Sequence, residues 1–332
     1  MTLVGTTPPS VPGTGTGGGN GTAGKAGAPS PGVQRREARG PWAQARQAAG
    51  TALWILAFTL IGYVVWFWAL SQVHYDRAQT EAYATFRSTL ARALAPTGPT
   101  QPLVSGQSAP ATPPLLAPGT PVAVLNIPEI GLNAVVFEGT SGQVLENGPG
   151  HLRYTPLPGQ VGASVIFGRR TGYGGPFGRV GTLRIGDTFT VTTGQGVARY
   201  VVIEVRHAGD PVPLPLAAGQ GRLTLVTADG PALIPSGVLR VEANLTSAAD
   251  STPAMPLTEA DMAPGEATLG TDSIAWLPIV LWGQCLLVAV GLLAWIRQRW
   301  GRWQTWIVAV PVVGFLALSI ADQVTRLLPN LM

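Results

Sequence analysis

Hydrophobic and polar positions divide this chain into short punctuated runs, long unbroken apolar runs, and stretches with little to bury. Between 122 and 246 the short runs dominate: VAVLNIP, AVVFEG, ASVIFG, DTFTVTTG, ARYVVIEVRHA, GRLTLVTA and VLRVEANL, each rich in branched residues and closed by Gly or Pro. Runs of that length, bounded by turn residues, read as strands. In DTFTVTTGQGVARYVVIEV two of them flank Gly194-Gln195-Gly196, a hairpin whose turn calls for positive-φ residues. Seven or eight strands at this spacing, with no helical period longer than a turn or two, predict an all-β domain, either a closed barrel or a sandwich.

The long apolar runs TALWILAFTLIGYVVWFWAL (51–70), IAWLPIVLWGQCLLVAVGLLAWI (274–296) and WIVAVPVVGFLALSI (306–320) predict membrane helices over 51–71, 274–296 and 305–325. Each approaches the ~20 residues that a helix needs to cross a bilayer. Arg35, Arg36, Arg39 and Arg46 precede the first, and the 297–304 loop between the other two carries Arg297, Arg299 and Arg302 among tryptophans. Arginines concentrate on the cytoplasmic side, which places the N-terminus and that loop inside and everything from 72 to 273 outside. The expectation is a multi-pass protein of the cell membrane with an extracytoplasmic β-domain. A cleaved signal peptide ending near Ala69-Leu70-Ser71 is the rival reading. The apolar run exceeds the ~7–15 residues of a signal core, which favours an uncleaved anchor.

Residues 1–50, mostly Gly, Pro, Thr, Ser and Ala, offer nothing to offset the entropy of ordering and read as a disordered cytoplasmic tail. Ala82, Tyr83, Phe86, Leu90 and Leu94 recur at helical spacing and predict a stalk helix over 72–95. A Pro-rich linker follows at 96–121, a second linker occupies 247–273, and 326–332 emerges outside.

Composition supports this division: 46% of residues are hydrophobic and 11% charged, too apolar for an ordinary soluble protein. The net charge of +4 is spread out, so no nucleic-acid partner is expected. Cys285 is the single cysteine and lies inside an apolar run, which excludes an internal disulfide and a cysteine-based metal cluster. The acidic residues have no metal-loop spacing, and TGYGGPFG lacks the strand-to-helix context and lysine of a phosphate cradle. No cofactor and no metal site is expected.

Four segments, NIPEIGLNAVVFEGTS, GPGHLRYTPLPGQVGASVIFGRRTGYGGPFG, LRIGDTFTVTTG and RLTLVTADG, in this order and spacing, resemble the sortase family of Gram-positive cell-surface transpeptidases, in particular the housekeeping-type, class E sortases of actinobacteria. The resemblance spans essentially all of 122–245 and implies an eight-stranded closed barrel held at the outer face of the membrane. It also implies a cysteine at the end of the strand LTLVTA that attacks an LPXTG-like sorting signal, a histidine in the segment matching FGRRTGYG, and an arginine on the last strand that steadies the oxyanion.

All three of those family positions differ here. Ala228 stands where the nucleophile belongs and Arg169 where the histidine belongs, with Arg170 keeping its place. Val238 takes the arginine's position, and Arg240, two residues on and therefore on the same face, substitutes only if the register shifts. A methyl group forms no acyl bond and a guanidinium shuttles no proton. Thr227 with His151 as base is the one rescue the sequence offers.

The favoured reading is a membrane-anchored sortase-like protein that binds or scaffolds at the cell envelope. Its groove candidates are Arg169, Arg170, Asp229, Thr227, Arg240 and His151, and its partners are the membrane itself and a sorting-signal-like peptide or an anionic envelope group. In the plainer version Arg169 merely pairs with Asp229. Two other readings stand beside it: an active transpeptidase with replaced residues, and a scaffold subunit whose C-terminal helix hairpin docks on a partner membrane protein.

Overall fold

The computed structural model describes residues 70–102, 114–231, 234–271, 276–299, 302–327 and 329–332, with isolated positions before 70. The predicted tail at 1–50 and membrane span at 51–71 lie, apart from those isolated positions, outside the described residues.

Eight strands close into a barrel: β1 (Pro121–Ile127), β2 (Leu132–Glu138), β3 (Gly150–His151), β4 (Gly162–Phe167), β5 (Thr188–Thr193), β6 (Gly196–Arg206), β7 (Gly221–Asp229) and β8 (Gly237–Leu245). Around the barrel the order is β1-β2-β3-β4-β7-β8-β6-β5, and β5 pairs back onto β1. Closure removes both sheet edges, and this decides between the barrel and the sandwich that the sequence leaves open. All neighbours are antiparallel except β2–β3 and β4–β7. Seven strands match the punctuated runs. The eighth, β3, is two residues long and has no pattern to betray it.

Alternation along the strands builds the core. Leu125 and Ile127 on β1, Val191 on β5, Tyr200 and Val202 on β6, Leu223 and Leu225 on β7, and Val241 and Ala243 on β8 all point inward and are almost fully buried. Each large aliphatic side chain withdrawn from water in this way contributes ~1.5–3 kcal/mol. The hairpin turn uses positive φ only at Gly196. Gly194 is required for a different reason: a Cβ there would lie 2.7 Å from the carbonyl oxygen of Pro96.

Helix α1 (Ser71–Ala91) lies against the barrel rather than standing free as a stalk, burying Ala82 and Phe86. The Gln79 carboxamide accepts from the backbone N–H of Val135 at 2.7 Å and donates to the carbonyls of Val135 at 3.2 Å and Asn147 at 2.8 Å. A second short helix, α2 (Gly142–Leu145), is capped by the Ser141 hydroxyl.

The 247–273 stretch, expected as a linker, packs on the barrel over its described part. Asp250 pairs beside Gln160, the Thr252 hydroxyl donates to Val161 O, and the Thr140 hydroxyl donates to Glu266 O at 2.6 Å. Backbone groups of Asp250 and Glu266 and the Thr252 hydroxyl pair with barrel groups instead of spacing domains.

Two long helices follow, α3 (Trp276–Arg299) and α4 (Arg302–Leu327), joined by Trp282 edge-on to Phe315. Trp276–Leu293 and Trp303–Val324 are long and apolar enough to cross a membrane. Most of the predicted 297–304 loop is helical, because Arg and Gln are good helix formers that extend both helices to the residues flanking 300–301.

Candidate functional site

The site sits at the C-terminal end of β7, where strand parity separates two environments. Leu223 and Leu225 face the barrel interior, while Val226 and Ala228 face a second apolar cluster with Leu145, Leu152, Phe167, Val238 and Leu331. Ala228 pairs directly with Val238 across β7–β8, and that ladder runs in unbroken register from Arg222↔Asn244 to Asp229↔Gly237. No bulge shifts β8, so the residue facing the Ala228 methyl is Val238, and half-buried Arg240 stands opposite Val226, one step further along the same face.

Thr227 has the opposite parity. It is 1% exposed and its hydroxyl donates to Gly168 O at 2.9 Å, in the loop after β4. His151 lies elsewhere, buried on β3: Nδ1 is 3.0 Å from Glu138 Oε2, and Nε2 is 3.0 Å from Pro156 O and 3.2 Å from the Thr155 hydroxyl. The structure does not bring Thr227 and His151 together.

The two arginines after β4 part company. Arg169 is 1% exposed: Nη2 donates to Gly142 O at 2.9 Å and stands 3.7 Å from Glu146 Oε1, with the guanidinium 4.8 Å from the centre of the Tyr173 ring. Burial lowers its proton affinity, opposed by Glu146 and then by Tyr173. Guanidinium groups stay protonated in proteins, so the side chain is a cation. The partner expected for it, Asp229, is taken by Arg170 instead. Arg170 Nη1 is 3.7 Å from Asp229 Oδ1 and donates to Ala228 O at 3.0 Å. Arg169 turns inward because the 168–178 loop folds Tyr173 and Phe177 into the protein, leaving the next side chain to face the rim.

His207 Nδ1 lies 2.6 Å from Asp229 Oδ2. The hydrogen bond and charge of Asp229 raise the pKa of His207, and the same bond, helped by the Gly230 N–H and Arg170, lowers that of Asp229. The resulting Arg170–Asp229–His207 group is the charged rim of an otherwise apolar pocket.

The pocket is filled from within the chain. The segment 329–332 forms a turn, Met332 N–H to Pro329 O at 3.0 Å, that enters between the barrel and the 265–270 stretch. Leu331 is fully buried in the apolar cluster with Ala228, and its carbonyl accepts from the Arg170 N–H at 2.9 Å. The Asn330 carboxamide donates to the carbonyls of Thr140 at 2.9 Å, Gly265 at 3.2 Å and Ala267 at 2.9 Å, while its N–H donates to Gly270 O at 3.0 Å. Sequence reasoning gave no role to Asn330, Leu331, Glu146, Tyr173 or Glu138. Apart from Tyr173, which stacks on nearby Arg169, their partners lie 13 to 190 residues away, beyond any local pattern.

An eight-stranded closed β-barrel with polar residues gathered at the ends of β4 and β7 is the class of domain that the fold and site define. The particular family follows from comparison. A Sortase domain profile matches residues 125–236. A variant of sortase E from Streptomyces avermitilis is 31% identical over 46% of this chain and 100% of its own, with a TM-score of 0.33. Sortase E1 from Streptomyces coelicolor, solved with a tripeptide in the active site, is 26% identical over 40% of this chain and 92% of its own, TM-score 0.35. Clostridium perfringens sortase C, solved with the C-terminal cell wall sorting motif, is 21% identical over 52% and 89%, TM-score 0.35. No curated protein matches. The chain belongs to the sortase family.

Proposed function

We propose that this protein is a membrane-anchored member of the sortase family whose barrel holds a peptide at the outer face of the membrane without cutting it. The observation that carries the reading is the methyl group of Ala228 at the end of β7, facing Val238 in an apolar pocket. Covalent acyl transfer needs an atom that bonds to the acyl carbon and is later released. The neighbouring hydroxyl, Thr227, is buried and committed to Gly168 O, and the histidines lie elsewhere or at the exposed rim.

Anchoring is supported by the two apolar helices after the barrel and the apolar run at 51–71 before it. With arginines before the first run and between the last two, the barrel falls outside the cell and the chain is multi-pass. Binding is supported by the apolar pocket at the end of β7 and its charged rim of Arg170, Asp229 and His207. A partner membrane protein for the α3–α4 hairpin belongs to the same reading. Leu281, Val288 and Leu292 on α3 and Ile307, Val310 and Phe315 on α4 are exposed and free to face lipid or another helix.

The test uses the full chain in lipid nanodiscs with a sorting-motif peptide and an amine acceptor. Mass spectrometry is expected to show intact peptide and no acyl adduct. A diazirine-bearing version of the peptide is expected to label the 168–173 or 226–230 segments, in the wild type or after removal of 329–332. A cleaved product that disappears in Thr227→Val overturns the holding reading, and absence of labelling in both proteins overturns the binding reading.

A further inference from the structure

The way 329–332 occupies the pocket has the features of a ligand in a site. One side chain is read by its hydrogen-bonding chemistry, one by its shape, and the main chain by a rim donor. Around Asn330, three carbonyl oxygens converge on one amide nitrogen. Only a donor is tolerated there. A carboxylate would face three acceptors, and an aliphatic group would leave the carbonyl oxygens without their donor. Leu331 then fills the apolar cluster that Ala228 floors. A larger or charged side chain at 228 would intrude on that space, so the alanine that removes a nucleophile also makes room for the leucine.

The rim contributes the Arg170 N–H, whose acceptor is Leu331 O. The site is also tied to the helical hairpin. The residues that enclose Asn330, Gly265 to Gly270, lead into α3, and the segment itself follows α4. Both ends of the hairpin therefore meet at the pocket, and a movement of one helix against the other pulls directly on its contents.

We propose that this pocket is a receptor for a peptide turn presenting a carboxamide followed by an aliphatic side chain, and that 329–332 is its occupant in cis, keeping the pocket closed until the α3–α4 hairpin withdraws it. The ligand class deepens the binding function proposed above and rests on it, whereas the cis occupancy stands on the contacts of Asn330 and Leu331 alone. A peptide arriving in trans must displace the tethered segment, so a tethered competitor sets a high threshold for capture.

Hydrogen exchange on the full chain in nanodiscs tests this directly, because the Arg170 amide is held by Leu331 O. Asn330→Asp and Leu331→Asp are each expected to accelerate exchange at Arg170 by at least about tenfold, the factor set by losing ~1.4 kcal/mol of local protection. Leu225, in the middle of β7, reports that the barrel remains folded. The second measurement is capture of a capped acetyl-Leu-Pro-Asn-Leu-Met-amide photoprobe. It is expected to rise at least about tenfold in the variants over the wild type, and to fall when the probe's asparagine is replaced by aspartate. Arg170 exchange unchanged by both substitutions, with Leu225 still protected, overturns the cis occupancy. Faster Arg170 exchange with no capture of either probe confirms that occupancy and sinks the ligand class, whereas the binding function falls only if the sorting-motif photoprobe also goes uncaptured. Equal capture of the asparagine and aspartate probes sinks the carboxamide selectivity.

Discussion

Replacing Arg169 by leucine removes a cation that the fold has buried completely. The side chain is 1% exposed, donates to Gly142 O at 2.9 Å, and lies 3.7 Å from Glu146, itself only 5% exposed. The substitution puts a hydrocarbon where the Glu146 carboxylate had a buried cation 3.7 Å away, leaves Gly142 O with only the Glu146 N–H, and removes the guanidinium from the Tyr173 ring. Breaking a buried pair from one side costs ~3–5 kcal/mol, a large part of the ~5–15 kcal/mol that a domain has. The loss of solvent-screened charge is not at issue here, since neither group reaches the surface. Removing both partners is a different perturbation. Arg169→Leu with Glu146→Leu leaves no charge unpaired, and isosteric apolar replacement of buried ion pairs is often neutral or stabilising. The double variant is therefore expected to recover most of the loss, to within ~1–2 kcal/mol of the wild type. Pulse proteolysis in urea of the four proteins of the cycle, in detergent, gives each unfolding free energy. A single-variant loss below ~1 kcal/mol, or a double variant no better than the single, would refute the claim that Arg169 is a structural cation held by Glu146.

Other measurements probe the remaining contacts. Gln79→Leu removes three hydrogen bonds between α1 and the barrel, so amide exchange at Val135 should rise by one to two orders of magnitude, corresponding to ~1–3 kcal/mol; unchanged exchange would show that the helix is not tied there. Gly174→Ala places a Cβ 2.5 Å from the Tyr75 ring at a φ of +76° and should loosen the 168–178 loop, read as faster exchange at Phe177; retained protection there would contradict it. The raised pKa of His207 contributes stability below its ordinary value of 6.5, lost as pH rises through the folded value, and the lowered pKa of Asp229 contributes above 3.8, lost as pH falls through its folded value. The pair therefore acts chiefly between those limits, weakly because His207 is exposed. Asp229→Asn should move the NMR titration of His207 downward, and an unmoved midpoint would deny the pairing. Ala228→Cys supplies a thiol, but the residue at the family's histidine position is the buried cation Arg169; no peptide cleavage is expected by mass spectrometry, and turnover would show that another group, the rim His207 first, serves as base.

Local pattern determined more of this protein than its chemistry. Seven strands were visible because branched residues alternate between Gly and Pro stops, and the two apolar helices after the barrel were visible because each is an unbroken run long enough to cross a bilayer. Ala228, Arg169 and Val238 stand out in the sequence only through the motif order of the family it resembles. Strand parity along LTLVTA was also enough to place residues 227 and 228 on opposite faces. The two-residue β3 was not legible, because two residues carry no period, yet it bridges β2 to β4 and holds His151 against Glu138.

What only the tertiary structure decided was which charges meet and what fills the pocket. Arg169 and Arg170 are adjacent and chemically identical, and the sequence has no means of sending one inward to Glu146 and the other to the rim beside Asp229. The path of the 168–178 loop does that. The contacts of Asn330 join residues up to 190 apart and depend on a stretch that composition marks as a linker. Hydrophobic periodicity specifies elements because it acts between near neighbours in the chain. Pairing of polar groups is decided by closure of the barrel, which brings distant carbonyls and side chains to one rim where each must find a partner.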